Sequence, residues 1–327
     1  MNPTGLTVKK IPLILGILFL VLVSCKKDKD KNKVVEDALA IQVKNTSSNT
    51  VNLYYLRSDG ANFTRVITND LGNYLSSPAW SSDRRKIFFA INTTSPNVNG
   101  VYSVSSNGDE FKPVYKDNDT QNRKFYQVVA SRDEEHVVFS LQIPRTGRKV
   151  IELYRMCPCG QRVTRLTSFE TSQSPALIST ESYGGSFSRD SRYMYFVQSD
   201  PTITGAKQIN IYRQDMVSNE LLLIRNFVAT DVLGAVPSIS PDGSRILISI
   251  DGAIKVMNAD GTDLQDLALS GYRPSWDNNN ADFFFSTQGN PGQFASGIYR
   301  TNLAKSEIKP ISKNSTAWTF GGFGVNN

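Results

Sequence analysis

The stretch Pro237-Ser238-Ile239-Ser240-Pro241-Asp242-Gly243-Ser244-Arg245-Ile246-Leu247-Ile248 decides the fold. Ile239 ends one apolar segment. Ser-Pro-Asp-Gly then reverses the chain: Pro fixes φ, Asp bonds nearby backbone, and Gly accepts a positive φ. Ile246, Leu247 and Ile248 open a second strand. The same register recurs at residues 78–89, 128–139, 185–196 and 274–285. The matched turn residues are Asp83, Asp133, Asp190, Asp242 and Asn279, spaced 50, 57, 52 and 37 residues apart.

A second hairpin follows each first turn. In the clearest repeat it is Ile254-Lys255-Val256-Met257-Asn258-Ala259-Asp260-Gly261, and its counterparts are residues 101–108, 153–160, 209–215 and 298–302. Asp-Gly or Asn-Gly after alternating apolar residues is a strong hairpin signal. Two hairpins make four strands. A four-stranded unit recurring every roughly 40–50 residues predicts the blades of an all-β, single-domain β-propeller. No segment shows sustained helical periodicity.

These repeats resemble those of the TolB-like (WD-type repeat) β-propeller family, which read P-x-W-S-P-D-G-x-x-I-x-F and then I-Y-x-M-N-A-D-G. The resemblance covers five repeats, over residues 74–310, and Ser240 to Gly243 carries Ser-Pro-Asp-Gly intact. It implies a periplasmic propeller that binds a lipoprotein and other cell-envelope proteins. The chain departs from the family pattern in two ways. It reads as a lipoprotein itself, and it lacks the family's separate N-terminal α/β domain.

The ends supply the blade count. Residues 51–60, Val-Asn-Leu-Tyr-Tyr-Leu-Arg-Ser-Asp-Gly, form a second-hairpin sequence with no first hairpin before it. Residues 320–327 resemble residues 183–187, and with Phe323 in the Trp80 position they supply one innermost strand. Residues 38–44, 50–57 and 64–68 then supply the outer strands of the same blade. This predicts six four-stranded blades, with the C-terminal strand joining the N-terminal strands to close the ring and remove exposed edges. The alternative is seven blades, with an irregular one in residues 160–185.

The N-terminus reads as an export signal. Lys9 and Lys10 precede an apolar run over residues 11–23. That length fits a signal-peptide core and falls short of a membrane span. Leu22-Val23-Ser24-Cys25 resembles a bacterial lipobox, in which Cys25 is lipidated and anchors the chain to a membrane. The expected organisation is a signal peptide at 1–24, a lysine-rich tether at 25–36 and the propeller at 37–327. Lys26 after the Cys resembles the outer-membrane sorting pattern, with the protein facing the periplasm or the cell surface.

The formal charge of +6 invites a nucleic-acid partner. Lys9 and Lys10 leave with the signal peptide, and five Lys and two Asp lie in residues 26–33. The remainder holds 29 basic and 28 acidic residues, so no nucleic-acid partner is expected. A monomer is expected.

The residues offer no ordinary catalytic set. His136 is the only His and sits at a turn, so neither a Ser-His-Asp triad nor a multi-His metal centre can be assembled. No phosphate loop or dinucleotide fingerprint appears. The expectation is no enzyme, no metal and no cofactor. Cys157 and Cys159 flank Pro158 at a hairpin turn and either pair as a C-x-C disulfide or stay as thiols. Four residues before the Trp80 position stand Tyr126, Tyr183 and Tyr272. With Arg273 and Trp318 beside them in register, these are candidate ligand contacts at one mouth of the central channel. Packing between blades is the other role open to them. The functional expectation is a non-enzymatic protein-interaction module of the cell envelope. The alternative is a glycan-binding or glycan-processing surface lipoprotein.

Overall fold

The computed structural model describes residues 38–325, apart from 46–49, 62, 68–75, 94–97, 117–122, 146–147, 169–179, 204–205, 231, 233, 280, 288–296 and 313–317. The expected signal peptide, Cys25 and the expected tether lie outside the described residues. Among the described residues the regular structure is β throughout, with no α-helix.

The first sheet contains β1 (Ala38–Asn45), β2 (Thr50–Arg57), β3 (Thr64–Arg65) and β24 (Trp318–Val325), in the order β24-β1-β2-β3. The second runs β4 (Ala79–Trp80), β5 (Lys86–Ile91), β6 (Gly100–Ser105), β7 (Lys112–Lys116). An eight-stranded sheet follows. Its first half is β8 (Phe125–Ala130), β9 (Val137–Arg145), β10 (Arg148–Met156) and β11 (Thr164–Arg165). Its second half is β12 (Thr180–Phe187), β13 (Tyr193–Ile203), β14 (Ala206–Asp215) and β15 (Leu221–Ala229). Two further sheets take β16 (Ser238–Ile239) to β19 (Gln265–Ser270) and β20 (Tyr272–Trp276) to β23 (Lys309–Pro310). Their middle strands are β17 (Arg245–Ile250), β18 (Ala253–Asn258), β21 (Asp282–Thr287) and β22 (Gly297–Asn302).

Each four-stranded run from β4 to β23 is an antiparallel meander whose first and second hairpins fall where the sequence placed them. The two halves of the large sheet join through a short parallel pairing, Val150↔Thr180 and Ile151↔Glu181. β12 starts early enough to overshoot its own hairpin and meet β10. Of the region offered for an extra blade, residues 164–165 and 180–185 belong to these sheets, and 169–179 lie outside the described residues.

The first turns share one hydrogen-bond scheme. The Ser81, Ser188 and Ser240 hydroxyls donate to Asp83, Asp190 and Asp242 two residues on, at 2.5–2.6 Å. Ser131 and Asp133 repeat the contact. The same four hydroxyls accept the backbone N–H of Lys86, His136, Tyr193 and Arg245, each at 2.9 Å. The residue after the Asp takes a positive φ: Gly243 at 74°, but also Arg84 at 56°, Glu134 at 60° and Ser191 at 60°. A side chain there is strained, and the Ser–Asp bonds hold the turn regardless.

Burial grades from the first strands outward. β5 and β6 are buried on both faces because a neighbouring sheet covers each one, whereas β7, β11 and β23 are largely exposed. The apolar cores lie between successive sheets. Trp80, Phe89 and Tyr102 meet Leu53. Phe88 and Val101 meet Phe139. Tyr183, Val197 and Ile211 meet Ile239 and Ile246. Leu247 and Val256 meet Trp276 and Phe285. Finally Phe284 and Ile298 of the last sheet share a core with Leu39, Ile41 and Leu56 of the first. Each such side chain contributes about 1.5–3 kcal/mol on burial. Polar bonds cross the same seams: Ser76 N–H donates to Gln42 Oε1 at 2.6 Å, Phe125 N–H to Asn92 Oδ1 at 2.8 Å, and Ser249 Oγ to the Gly271 carbonyl at 2.6 Å.

β24 pairs antiparallel with β1, from Leu39↔Val325 to Asn45↔Trp318, and lies against both β20 and β4. Removing residues 318–327 strips β1 of this partner. The truncated protein is expected to lose roughly 4–5 kcal/mol and about 10 °C or more in Tm. An unchanged Tm on thermal scanning would show that β24 adds nothing to stability.

The turns also predict acid behaviour. The Ser188 and Ser240 hydroxyls hold the Asp190 and Asp242 carboxyls below the ordinary aspartate range. A depressed folded-state pKa gives stability that is full above the unfolded value, near about 4, and fades as pH falls through the folded value. Asp242→Asn is expected to be less stable than the parent at pH 7, with the gap closing between about pH 5 and pH 2. Parallel denaturation curves at each pH measure it, and a gap constant with pH would contradict it.

Candidate functional site

Five first strands face one cavity of about 100 Å³. Its walls come from equivalent positions of the repeats. Ser77, Gln127, Gly184, Val236 and Arg273 form one layer, each directly after the position that holds Tyr126, Tyr183 and Tyr272. Toward the turns the lining continues through Ser186, Ser238 and Ser275 to Ser82 and Arg132. Small residues keep the space open. A Cβ on Gly185 would stand 2.3 Å from the Pro237 carbonyl and 2.7 Å from the Tyr195 carbonyl, so only glycine fits there.

Arg273 reaches from β20 to the second sheet, where its Nη1 donates to Ser77 Oγ at 2.8 Å. It does so from a positive φ of 51°, in a strand whose register shifts between Tyr272 and Ser275. A non-glycine residue in that region marks a position fixed by its surroundings.

The other candidate contacts are dispersed. Tyr183 has no exposed surface and packs with Ile151, Tyr195 and Val197. It therefore offers no face to a ligand in this structure, which corrects its expected place at the mouth. The reason is local: β12 shifts register between Gly184 and Ser186, and the glycines let the strand press against Pro237. Tyr126 is half-buried against it, edge to face at 5.7 Å, with its hydroxyl bonded to Gln142 Oε1 at 2.9 Å. Tyr272 is half-buried over Gly252. Trp318 stands on β24 opposite Asn45, and its side chain lies outside the described residues.

Cys157 and Cys159 form a disulfide, Cα–Cα 5.1 Å, across the turn between β10 and β11. His136 stacks on Phe187 at 6.5 Å, and burial pushes its pKa down against the pull of Asp133 and Glu135. Among the described residues, no three of His, Cys, Asp and Glu converge to hold a metal ion.

Several features escaped the sequence reading. Glu152 is fully buried and paired with Arg165 at 2.8 Å, with Thr167 bonded to its second oxygen. Asn52 and Arg65 make the equivalent pair. Gln127, Ser77 and Arg273 form one polar layer, and the repeat register that singled out the Tyr positions would have found it one residue on. β15 carries an exposed apolar run beside a groove of about 860 Å³ between its sheet and the β16–β19 sheet.

No family model matches the chain, and no curated protein matches it. Solved structures do. TolB from Acinetobacter baumannii is similar at TM-score 0.63 and 16% identity, over 89% of this chain and 67% of that one. A nidogen/laminin complex structure is similar at TM-score 0.63 and 7% identity, over 88% and 97%. A puromycin hydrolase S511A mutant complexed with PGG is similar at TM-score 0.56 and 9% identity, over 86% of this chain and 52% of that one. This chain spans about half the length of that hydrolase. These likenesses show the fold: a β-propeller with TolB-like architecture.

Proposed function

We propose that this chain is a lipid-anchored, non-enzymatic interaction module of the bacterial cell envelope. Its propeller has six blades, closed where β24 joins β1. Six four-stranded runs and the core shared by the last and first sheets support that count and closure. The lipobox at Cys25, the Lys-rich tether and the near-neutral propeller support an outer-membrane lipoprotein with no nucleic-acid partner. The mouth residues Tyr126, Tyr272, Arg273 and Trp318 are assigned a secondary part.

The observation that carries the reading is β15. It is nine residues long, far longer than the outer strands β3, β11 and β23, and among the described residues it pairs only with β14. Leu221, Leu222, Leu223 and Val228 are 42%, 43%, 45% and 58% exposed. An open edge offers a row of backbone donors and acceptors, and natural proteins shield such edges with charge or proline. Gly261 of the next sheet packs on the Ile224 carbonyl and accepts from Arg225, so the part of the edge that this turn leaves uncovered begins with three leucines. Its occupant is an extended strand of a partner protein, which completes the backbone ladder and seats apolar side chains in the adjoining groove beside Leu222, Leu223, Tyr193 and Pro241. The nidogen/laminin structure is a protein–protein complex, which supports an interaction role for this architecture.

Two experiments test this. Purification from solubilised envelope, with a photo-crosslinker at position 222, is expected to yield one discrete protein adduct. Leu222→Lys with Leu223→Lys is expected to weaken capture by about tenfold or more, a loss of roughly 1.4 kcal/mol or greater. Capture unchanged by the double substitution, or glycan-array binding with no protein adduct, would overturn the reading. Separately, Cys25→Ala is expected to abolish lipid labelling and release the protein into the soluble fraction. Continued labelling would refute the anchor.

A further inference from the structure

We propose that the cavity enclosed by the first strands is a binding site for a small oxyanion, a phosphate or a carboxylate that also carries a hydrogen-bond donor. It is held by Arg132 and Gln127. This site is separate from the β15 edge and does not depend on it.

Gln127 is 3% exposed and lines the cavity, yet neither atom of its amide has a hydrogen-bond partner among the described residues; its Oε1 is buried and unsatisfied. Buried amides are almost always bonded, so an open one facing a cavity indicates a ligand or an ordered water. The cavity has room for more than the one water that about 10–15 Å³ of such space would hold, so a small polyatomic ligand fits.

Arg132 lines the same cavity at the turn end, half-buried, with no ion pair or hydrogen bond to its guanidinium among the described residues. Its backbone is pinned, since the Arg132 and Asp133 N–H groups both donate to Ser191 Oγ, at 2.9 and 3.1 Å. Burial, with the charges of Arg189 and Arg84, lowers its pKa. The aspartates of these turns are committed elsewhere, and Glu134 accepts the hydroxyl of Ser82, a lining residue, at 2.9 Å. Asp83, Asp133 and Asp190 each accept a serine hydroxyl and a backbone N–H within their own turns. A half-buried guanidinium without a counter-ion suits an oxyanion, which it can grip with two parallel N–H bonds. Gln127 Oε1 accepts only, so the ligand must donate one hydrogen bond as well. Hydrogen phosphate and lactate meet both demands; chloride meets neither.

The test uses the full chain titrated with phosphate or lactate against sodium chloride of matched ionic strength, read by thermal shift and calorimetry. Saturable stabilisation by at least one of the two, absent with chloride, is expected. The two arms separate phosphate from carboxylate ligands. Arg132→Gln is expected to weaken binding by about tenfold or more. Gln127→Leu, which fills the same space, is expected to weaken it while leaving the unliganded Tm close to the parent's. The proposal fails if neither anion binds saturably, or if both variants fold and bind as the parent does.

Discussion

In four of the repeats a single serine hydroxyl stands between an aspartate two residues on and the amide N–H five residues on. That bond pair fixes where the first strand of each sheet stops, and most of the molecule follows from it. The first strands run from two residues in β4 and β16 to eight in β12, but all four stop directly before that serine. First strands lined with Ser, Gly and Pro can approach one another without filling the space between them. The residue after the serine is thereby brought to the rim of that space, which is how Arg132 arrives there. The turn survives loss of the Pro and Gly that make it recognisable, because hydroxyl and carboxylate do the holding.

Apolar burial supplies the bulk of the stability and polar bonds supply the alignment. The six cores alternate with the sheets, and each contains residues of two neighbours. Burial alone would let one sheet slide over the next, since it is non-directional. Gln42, Asn92 and Ser249 bond to backbone across three of these seams and fix the offset. The parallel pairing of β10 with β12 does the same at a fourth seam by backbone alone.

Local, repeated chemistry is what the sequence made readable. The five first turns, the second hairpins and the pairing of the C-terminal strand with the N-terminal ones all rest on short motifs in register. Tyr183 misled because its burial depends on the two glycines that follow it, which bring the strand against Pro237, a residue of the next repeat. Glu152 and Arg165 lie 13 residues apart on either side of a hairpin, a spacing that no helix or strand periodicity flags. The exposure of Leu221, Leu222 and Leu223 on β15 has no local signal, because a strand's burial here is set by its distance from the shared cavity, and that is a tertiary fact. Arg132 and Gln127 carry no sequence signal of their own; only the packed fold shows that their side chains lack partners among the described residues.

The pairing of β24 with β1 has a consequence for the order of events during synthesis. β1 is the first strand described and β24 the last, so their contact spans nearly the whole chain. Such a contact closes late, because the loop entropy is lost before the pairing rewards it. Until β24 emerges, Leu39, Ile41 and Val43 sit on an open, sticky edge. A chain arranged this way cannot complete its first sheet during synthesis until β24 has left the ribosome, so that sheet stays pliable while the strands between the two are already made.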